Sequence, residues 1–202
     1  MPDFPAAPWT LCGRGWLTVW TAPRSAVPLL PAGVAPLSLF GRVVVVSAFV
    51  DYSPEGLLSY RELMAAVAVR RGVRFGLSIT DIWVDDETSR AGARAMWGIP
   101  KEMAEFTLAG GPRFTALAHG IAEASGTAGD HSPSGLPVRV GTSVWQTRDG
   151  EGVRTALRTA ARVRPTRLRW RFFPDGALTW LTNARPRLHL AVTGLRMRFG
   201  QP

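Results

Sequence analysis

The sequence predicts a mainly β protein of the α+β class, folded as a closed β-barrel with a few short helices. Two observations support this prediction. Segments rich in β-branched and aromatic residues recur between turns of glycine, proline and aspartate, and one longer segment, residues 87–97, has the caps of a helix. Many strands with few helices favour a barrel, because closure leaves no open sheet edge. For a chain of 202 residues we expect a single domain over residues 1–202.

The first strand is predicted at residues 14–21, after an extended, proline-containing arm over residues 1–13. Trp16, Thr18 and Trp20 share one face of this strand, because side chains alternate along it. Further elements are predicted in this order: a short helix at 23–30, a strand at 36–50, a turn at 51–56, a segment at 57–69 that fits either a helix or a strand, a turn at 70–72 and a strand at 73–84.

A helix is predicted over residues 87–97. Asp85 or Asp86 supplies its N-cap, and acidic residues in the first turn with arginines further along complement the helix dipole. Gly98 ends the helix, and Pro100 prevents it from resuming.

The second half of the chain is predicted to form strands joined by turns. The strands are expected at residues 105–109, 113–122, 138–146, 158–173 and 188–199. Turns separate them at 125–137 and 149–152, and Pro174-Asp175-Gly176 is a strong hairpin signal.

The net charge of +9 makes nucleic acid an obvious partner to consider. The densest basic run ends in Arg167, Arg169 and Arg171, which share one face of a predicted strand. No helix-turn-helix, zinc-finger or aromatic RNA-binding pattern accompanies them. We therefore interpret the run as a solvated strand face or a subunit contact, and we expect no nucleic-acid partner.

Composition also bears on compartment and on metal chemistry. The first residues lack the basic start and apolar run of a signal peptide, and no stretch approaches 18 uninterrupted apolar residues. We expect a soluble, cytoplasmic protein with no membrane partner. The single cysteine, Cys12, cannot form an internal disulfide, and His119, His131 and His189 lack ligand spacing, which argues against a metal site.

Lys101 stands out because it is the only lysine among the 24 lysine and arginine residues. An arginine stays protonated and is a poor nucleophile, whereas a buried lysine can lose its proton and attack a carbonyl carbon to form a Schiff base. Chance in an arginine-rich composition is the alternative explanation, with Lys101 an ordinary lysine in solvent at the start of a strand.

The segment Gly92–Lys101, which ends in Trp97-Gly98-Ile99-Pro100-Lys101, resembles the acetoacetate decarboxylase family, in which a helix is followed by a proline and then by the Schiff-base lysine. Tyr60-Arg61-Glu62 is similar to the family's Tyr-x-Glu segment, whose glutamate faces that lysine. Arg14 occupies the place of an arginine on the family's first strand. The resemblance covers roughly residues 9–110 and implies that residues 57–69 form a strand.

The resemblance implies a cofactor-independent lyase in a homo-oligomer of acetoacetate decarboxylase-like barrels, with a small carbonyl or carboxylate compound as substrate. In the roles it implies, Lys101 is the nucleophile, Glu62 moves protons, Arg14 binds the substrate carboxylate, and Tyr60 and Trp97 contact the substrate. A nucleophilic amine at neutral pH requires the pKa of Lys101 to fall by about three units. Acetoacetate decarboxylase is itself a known example of an enzyme whose lysine is activated in this way.

The chain departs from the family pattern at two positions. Glu102 stands where the decarboxylases carry a second lysine, and Ser47 aligns with an acidic residue. Decarboxylation and an aldol, dehydration or cyclisation step, with a role in secondary metabolism, therefore both stay open. So do two other classes: a barrel enzyme that acts without an imine as a cyclase in natural-product biosynthesis, and a non-enzymatic protein that binds a small apolar ligand or an anionic partner.

Overall fold

The computed structural model describes residues 4–109, 113–127 and 135–201. Within these residues it contains one α-helix, α1 (Glu87–Trp97), and two 3-10 turns, Arg24–Ala26 and Thr179–Leu181. The strands of the described residues are β1 (Trp9–Ala22), β2 (Ala35–Pro36), β3 (Ser38–Leu39), β4 (Arg42–Ser53), β5 (Arg61–Arg71), β6 (Arg74–Val84), β7 (Lys101–Met103), β8 (Phe106–Ala109), β9 (Arg113–Ala118), β10 (Ala122–Thr127), β11 (Leu136–Arg148), β12 (Glu151–Pro165), β13 (Leu168–Phe172) and β14 (Arg185–Gln201).

Seven strands close into a barrel in the order β5-β4-β1-β14-β12-β11-β6, and pairing of β5 with β6 completes the ring. All neighbouring strands are antiparallel except β6 and β11, which are parallel and meet at a single register pair, Leu77 with Val144. β7 pairs in parallel with the last residues of β6, Ile82 to Val84, further along β6 than the pair formed with β11. The predicted closed β-barrel is confirmed.

Alternation along each barrel strand separates an inner face from an outer face. On β4, Val46, Ala48 and Val50 line an interior cavity, whereas Val45 and Phe49 belong to a hydrophobic core on the outside. The other strands of the ring alternate in the same way, except where the register shifts at Thr80 of β6 and between Val192 and Leu195 of β14. The position of a residue within its strand therefore decides whether its side chain can reach the cavity.

A second sheet, ordered β13-β10-β9-β8, covers part of the outer face of the barrel. Trp16 stacks on Phe114 with ring centroids 4.1 Å apart, and Phe49 stacks on Trp170 at 5.4 Å. This buried aromatic layer accounts for the large outward-facing side chains of β1 and β4, and its burial contributes hydrophobic stabilisation.

Two predictions near the amino terminus are corrected. The first strand begins at Trp9, which pairs with Phe199 of β14, and both residues are buried. Residues 9–13 of the predicted arm therefore belong to strand β1. The helix predicted at residues 23–30 is only the 3-10 turn Arg24–Ala26. Pro28 explains this difference, since a proline inside a helix has no N–H to donate.

The strand predicted at residues 36–50 is divided. Phe40 and Gly41 adopt positive φ angles of 52° and 72°, which reverse the chain between β3 and β4. β4 then continues to Ser53, into the predicted turn at 51–56, and β5 likewise takes in the first part of the turn predicted at 70–72. Within the ambiguous segment at 57–69, residues 61–69 belong to strand β5 and residues 57–60 precede it.

Two long strands predicted in the second half are each divided in two. Residues 113–122 form β9 and the start of β10, joined at Gly120, whose φ is 73°. Residues 158–173 contain the end of β12 and all of β13, because the chain leaves the barrel after Pro165 and enters the second sheet.

Two predicted turns also differ. β10 extends into the turn predicted at 125–137, of which residues 128–134 lie outside the described residues. Pro174-Asp175-Gly176 leads into the 3-10 turn Thr179–Leu181, and β13 and β14 belong to different sheets, so the hairpin predicted there is wrong.

Candidate functional site

Helix α1 and its two caps position Lys101. The side chain of Asp86 caps the first turn by accepting a hydrogen bond of 2.6 Å from the backbone N–H of Ser89. At the other end Gly98 adopts a left-handed conformation, with φ 64° and ψ 21°, and its N–H donates to the carbonyl of Arg94. The predicted bounds of this helix are confirmed, and Asp86 is the cap.

The chain leaves the helix directly into β7, where Lys101 pairs with Ile82 of β6. Ile82 faces the interior cavity, and so does Lys101, whose residue exposure is only 4%. Glu102, the next residue, points to the opposite face, pairs with Arg94 at 2.6 Å and keeps 57% of its side chain exposed. The negative charge of Glu102 therefore does not face the amine.

The amine of Lys101 lies in a compact polar cluster. Nζ donates hydrogen bonds to Glu62 Oε2 at 2.9 Å, Tyr60 Oη at 3.0 Å and Ser89 Oγ at 2.8 Å. Glu62, on β5, is as deeply buried as the lysine. Nζ also lies 4.7 Å from the centre of the Tyr60 ring, within reach of a cation–π interaction.

Two tyrosines complete the cluster as neutral phenols. Tyr52 Oη donates to Glu62 Oε1 at 3.3 Å. Burial raises the pKa of Tyr60 to about 12, with Lys101 opposing and Glu62 adding to that shift. Burial and then the charge of Glu62 raise the pKa of Tyr52 well above its usual value. Neither phenol loses its proton near neutral pH, so each can donate a hydrogen bond.

The net pKa shift of Lys101 is opposite to the one that a resting nucleophile needs. Burial alone lowers the pKa of the amine, but the charge of Glu62 and the hydrogen bonds to Glu62 and Tyr60 outweigh burial. The pKa of Lys101 therefore lies above its usual value, and Lys101 and Glu62 form a buried ion pair. The expected fall in pKa is not met, because the nearest charge is a carboxylate and not a cation.

The cluster opens onto a cavity of about 330 Å³ inside the barrel, referred to below as the barrel cavity. Tyr60 and Trp97, both predicted to contact the substrate, lie on its wall. Trp97 makes edge-on contacts with Trp9, at 5.0 Å, and with Phe199, at 4.7 Å. The remainder of the wall is almost entirely aliphatic, so Lys101 faces apolar space.

Arg14 lies elsewhere. It is on the outer face of β1, where its Nε and Nη2 donate to Asp51 Oδ2 at 3.1 and 3.0 Å, and 43% of its side chain is exposed. It does not line the barrel cavity. Strand parity explains this placement. Arg14 shares its face with Trp16, Thr18 and Trp20, whose side chains contact Phe114 or Trp170 of the second sheet.

Ser47 is also outside the barrel cavity. It is fully buried against the outer aromatic layer, where its hydroxyl accepts a hydrogen bond of 2.8 Å from Trp20 Nε1. The residues of β4 that face the cavity are its even-numbered neighbours, among them Val46 and Ala48. A polar group at position 47 therefore has no path to Lys101.

Ser89 and Tyr52 are the two cluster members that sequence reasoning missed. Ser89 shares a buried helix face with Gly92 and Ala93, three and four positions later, and this small-residue spacing was a usable signal. Tyr52 continues the inward alternation of Ala48 and Val50 on β4. Neither residue belongs to a recognisable motif, so only spacing could have identified it.

The described residues contain no group of three or more His, Cys, Asp and Glu side chains able to hold a metal ion. The same residues include no helix with the length and apolar character needed to cross a membrane.

Fold and site together define a class of protein: a closed, seven-stranded β-barrel whose cavity contains a buried lysine–glutamate pair. The family model described as acetoacetate decarboxylase matches residues 14–170. The chain belongs to the acetoacetate decarboxylase family.

Solved structures share the fold at low sequence identity. Acetoacetate decarboxylase from Legionella pneumophila has a TM-score of 0.69 at 18% identity, covering 99% of this chain and 87% of that one. The enduracididine biosynthesis enzyme MppR complexed with pyruvate has a TM-score of 0.65 at 18% identity, covering 98% and 90%. An acetoacetate decarboxylase-like enzyme from Sphingomonas wittichii RW1 has a TM-score of 0.64 at 17% identity, covering 97% and 92%. No curated protein sequence matches this chain.

Proposed function

We propose that this protein is a lyase-type enzyme in which Lys101 forms a Schiff base with a carbonyl substrate held in the barrel cavity. One observation carries the proposal: the only lysine of the chain is buried, faces that cavity and lies 2.9 Å from a carboxylate. An ordinary strand lysine would place its amine in water. Here the amine is held where a bound carbonyl carbon would meet it.

Glu62 is the base that makes the amine reactive in this proposal. Its Oε2 accepts a hydrogen bond from Nζ, so it can take one proton as the lone pair of Nζ attacks the carbonyl carbon. The resulting carbinolamine loses its oxygen as water, with a proton returned by Glu62, and leaves an iminium. Overall, the amine and the carbonyl compound give an imine and water.

The iminium then acts as an electron sink. The bond between the α-carbon, which is attached to the iminium carbon, and the next carbon along can break, its electron pair passing into the C–N system to form an enamine. If a carboxylate is lost, the step is a decarboxylation that releases carbon dioxide. If a carbonyl fragment is lost or added, the step is of the aldol type. After a loss, protonation of the enamine carbon regenerates the iminium. In an addition, the enamine forms by loss of a proton from the α-carbon, and its attack on the added carbonyl fragment regenerates the iminium directly. Water then hydrolyses the iminium and restores Lys101.

The structural neighbours support both outcomes. They include an acetoacetate decarboxylase, and they include MppR complexed with the condensation product of pyruvate and imidazole 4-carboxaldehyde. The proposal takes from them only that this barrel is used with carbonyl chemistry. Which step follows, decarboxylation or an aldol, dehydration or cyclisation step, depends on the substrate.

The test is borohydride reduction of the protein with a panel of ketones and keto acids, followed by intact-mass measurement. Borohydride converts an imine into a stable secondary amine, and only Lys101 and the terminal amine can be trapped. We expect a single adduct that disappears in Lys101→Ala. Absence of any adduct in folded protein, both at neutral pH and at about pH 10, where more of the amine is neutral, would contradict the proposal.

The aliphatic wall also favours a second function, in which the barrel binds a small apolar ligand without covalent chemistry. This alternative predicts the opposite result in the same experiment: ligand binding that survives Lys101→Ala, and no trapped adduct.

A further inference from the structure

The wall of the barrel cavity is unsuited to a second charge. Among its described lining residues, Glu62 and Lys101 are the charged side chains, and they already pair with each other. Most of the remaining wall consists of aliphatic residues from all seven barrel strands, including Leu17, Met64, Val144, Leu157 and Val192. Outside the Lys101 cluster, Thr142 and Thr159 add hydroxyls to the wall, and Trp9, Trp16 and Trp97 add uncharged indole rings.

A substrate carboxylate would have no cationic partner of its own in this cavity. Lys101 would have to neutralise both Glu62 and the incoming anion, which would leave one negative charge in an apolar space. Burying an unpaired carboxylate is costly, because the protein must replace the hydration that the group loses. Arg14, which could have balanced it, lies on the outer face of the barrel and binds Asp51.

We infer that the substrate of Lys101 is an uncharged ketone or aldehyde with a hydrocarbon body, and not a small keto acid. The imine step of this inference rests on the proposed function, whereas the preference for an uncharged, apolar ligand rests on the cavity alone. Transfer of hydrocarbon from water to the wall supplies the binding free energy. The carbonyl carbon meets Nζ, its oxygen leaves as water, and the bond that breaks or forms next carries no carboxylate.

The first experiment measures binding without covalent chemistry. Heptan-1-ol and heptanoate have the same chain length and differ in charge, and neither forms an imine. We expect calorimetry to show heptanoate binding at least about tenfold more weakly than the alcohol, because its carboxylate stays unpaired. Equal affinities, or tighter binding of heptanoate, would overturn the inference.

The second experiment traps imines from matched pairs of carbonyl compounds. Octan-2-one and 2-oxooctanoate differ only in a methyl or carboxylate group, and acetone and pyruvate form the corresponding short pair. We expect the borohydride adduct with octan-2-one to form fastest, even though a keto acid carbonyl is the more electrophilic. Faster trapping of the two keto acids would overturn the inference and leave the proposed imine chemistry intact.

A substitution in the cavity wall tests where the hydrocarbon chain of the substrate binds. Thr159 lines the cavity, whereas Ala160, its neighbour on β12, points to the other face. We expect Thr159→Phe to slow trapping of octan-2-one and to leave acetone unaffected, and Ala160→Phe to change neither. Undiminished trapping of octan-2-one in a Thr159→Phe protein that still traps acetone would contradict the placement.

The two proposals fail separately. If heptan-1-ol binds but no carbonyl compound is ever trapped, the imine chemistry is wrong and the apolar cavity stands. If adducts form and the keto acids are preferred, the imine chemistry stands and the substrate class is wrong. The wild-type pairs decide this even where a variant does not fold.

Discussion

Glu62 has two opposing effects on Lys101. Its charge favours the protonated amine, and its Oε2 accepts a hydrogen bond from the same amine. In the proposed function, Lys101 therefore rests as an ammonium ion and becomes a nucleophile when Glu62 takes one of its protons.

Replacing the carboxylate should lower the pKa of Lys101. In Glu62→Gln the charge that outweighs burial is gone, so burial dominates and we expect the pKa to fall by roughly two units or more. The rate of Lys101 acylation by a small reagent, followed by mass spectrometry, measures this. In the wild-type protein the rate should still be rising at about pH 10, and in the variant it should level off at lower pH.

Glu102→Gln is the matched control for this measurement. Glu102 is adjacent in sequence to Lys101 but points outward and pairs with Arg94. Its acylation profile should match that of the wild-type protein. A Glu62→Gln profile that also matched the wild type would mean that the carboxylate does not govern the amine.

Removing the lysine alone should destabilise the fold more than removing the whole pair. Lys101→Met leaves the buried carboxylate of Glu62 without its cation, which we expect to cost about 3 kcal/mol of unfolding free energy at neutral pH. The double variant Lys101→Met with Glu62→Leu replaces the pair by apolar groups and should recover most of that loss. Urea unfolding measures both, and equal stabilities of the single variant and the wild type would refute this view of the pair.

At this scale, short motifs in the sequence pointed to two residues that the structure places in contact. Lys101 and Glu62 were identified because one is the only lysine and the other lies in a recognisable Tyr-x-Glu segment. Arg14 was assigned to the site although its even-numbered position placed it on the same strand face as Trp16. The sequence already shows that Arg14 and Trp16 share one face of the strand. It does not show which of the two faces lines the cavity.

At the scale of elements, the N-terminal cap of α1 positions Ser89 beside the amine of Lys101. Asp86 caps the helix through the N–H of Ser89, and the hydroxyl of Ser89 in turn accepts a hydrogen bond from Lys101. The cap thus stabilises the helix and places a hydrogen-bond acceptor beside the amine. Gly98 caps the other end of the helix, where its left-handed conformation directs the chain into β7.

Asp86→Ala should therefore weaken the helix by about 1 kcal/mol, since one N–H of the first turn loses its acceptor. Asp86→Asn keeps an oxygen at the same place and should lose much less. Thermal unfolding of the two variants measures the difference. If alanine and asparagine proved equally tolerated, the hydrogen bond to Ser89 would not be what stabilises this end.

The helix was predictable because its caps are local. Asp86, Gly98 and Pro100 fix its ends through backbone geometry that depends on a few neighbours. The long strands were less predictable, because a run of β-branched residues looks the same on both sides of a tight turn. Residues 158–173 illustrate this: the chain passes from the barrel to the second sheet within one apparent strand.

At the scale of the whole molecule, the barrel has one weak seam. β6 and β11 share a single register pair, whereas the neighbouring ladders extend over many residues. Gly76 allows the two strands to approach, because a Cβ at this position would collide with the backbone carbonyl of Ser143 and approach the Trp145 indole to 2.9 Å. The close approach of β6 to β11, which closes the barrel, therefore requires glycine at position 76.

Gly76→Ala should force the seam apart and destabilise the protein by about 1–3 kcal/mol, the usual cost of overpacking. Gly141→Ala on β11 is the matched control, because a Cβ there meets no atom within 4 Å. Urea unfolding compares the two variants. If Gly76→Ala were no less stable than Gly141→Ala, the contact between β6 and β11 would be able to accommodate a Cβ without a loss of unfolding free energy.

The sequence by itself determined the barrel class, the capped helix and the two residues that carry the proposed chemistry, because these depend on local composition, on caps and on short motifs. Only the tertiary structure decided which strand faces point inward, and with them the exclusion of Arg14 and Ser47, the inclusion of Tyr52 and Ser89, and the raised pKa of Lys101. The physical reason is that alternation fixes which residues share a face, whereas closure of the ring fixes which face becomes the cavity.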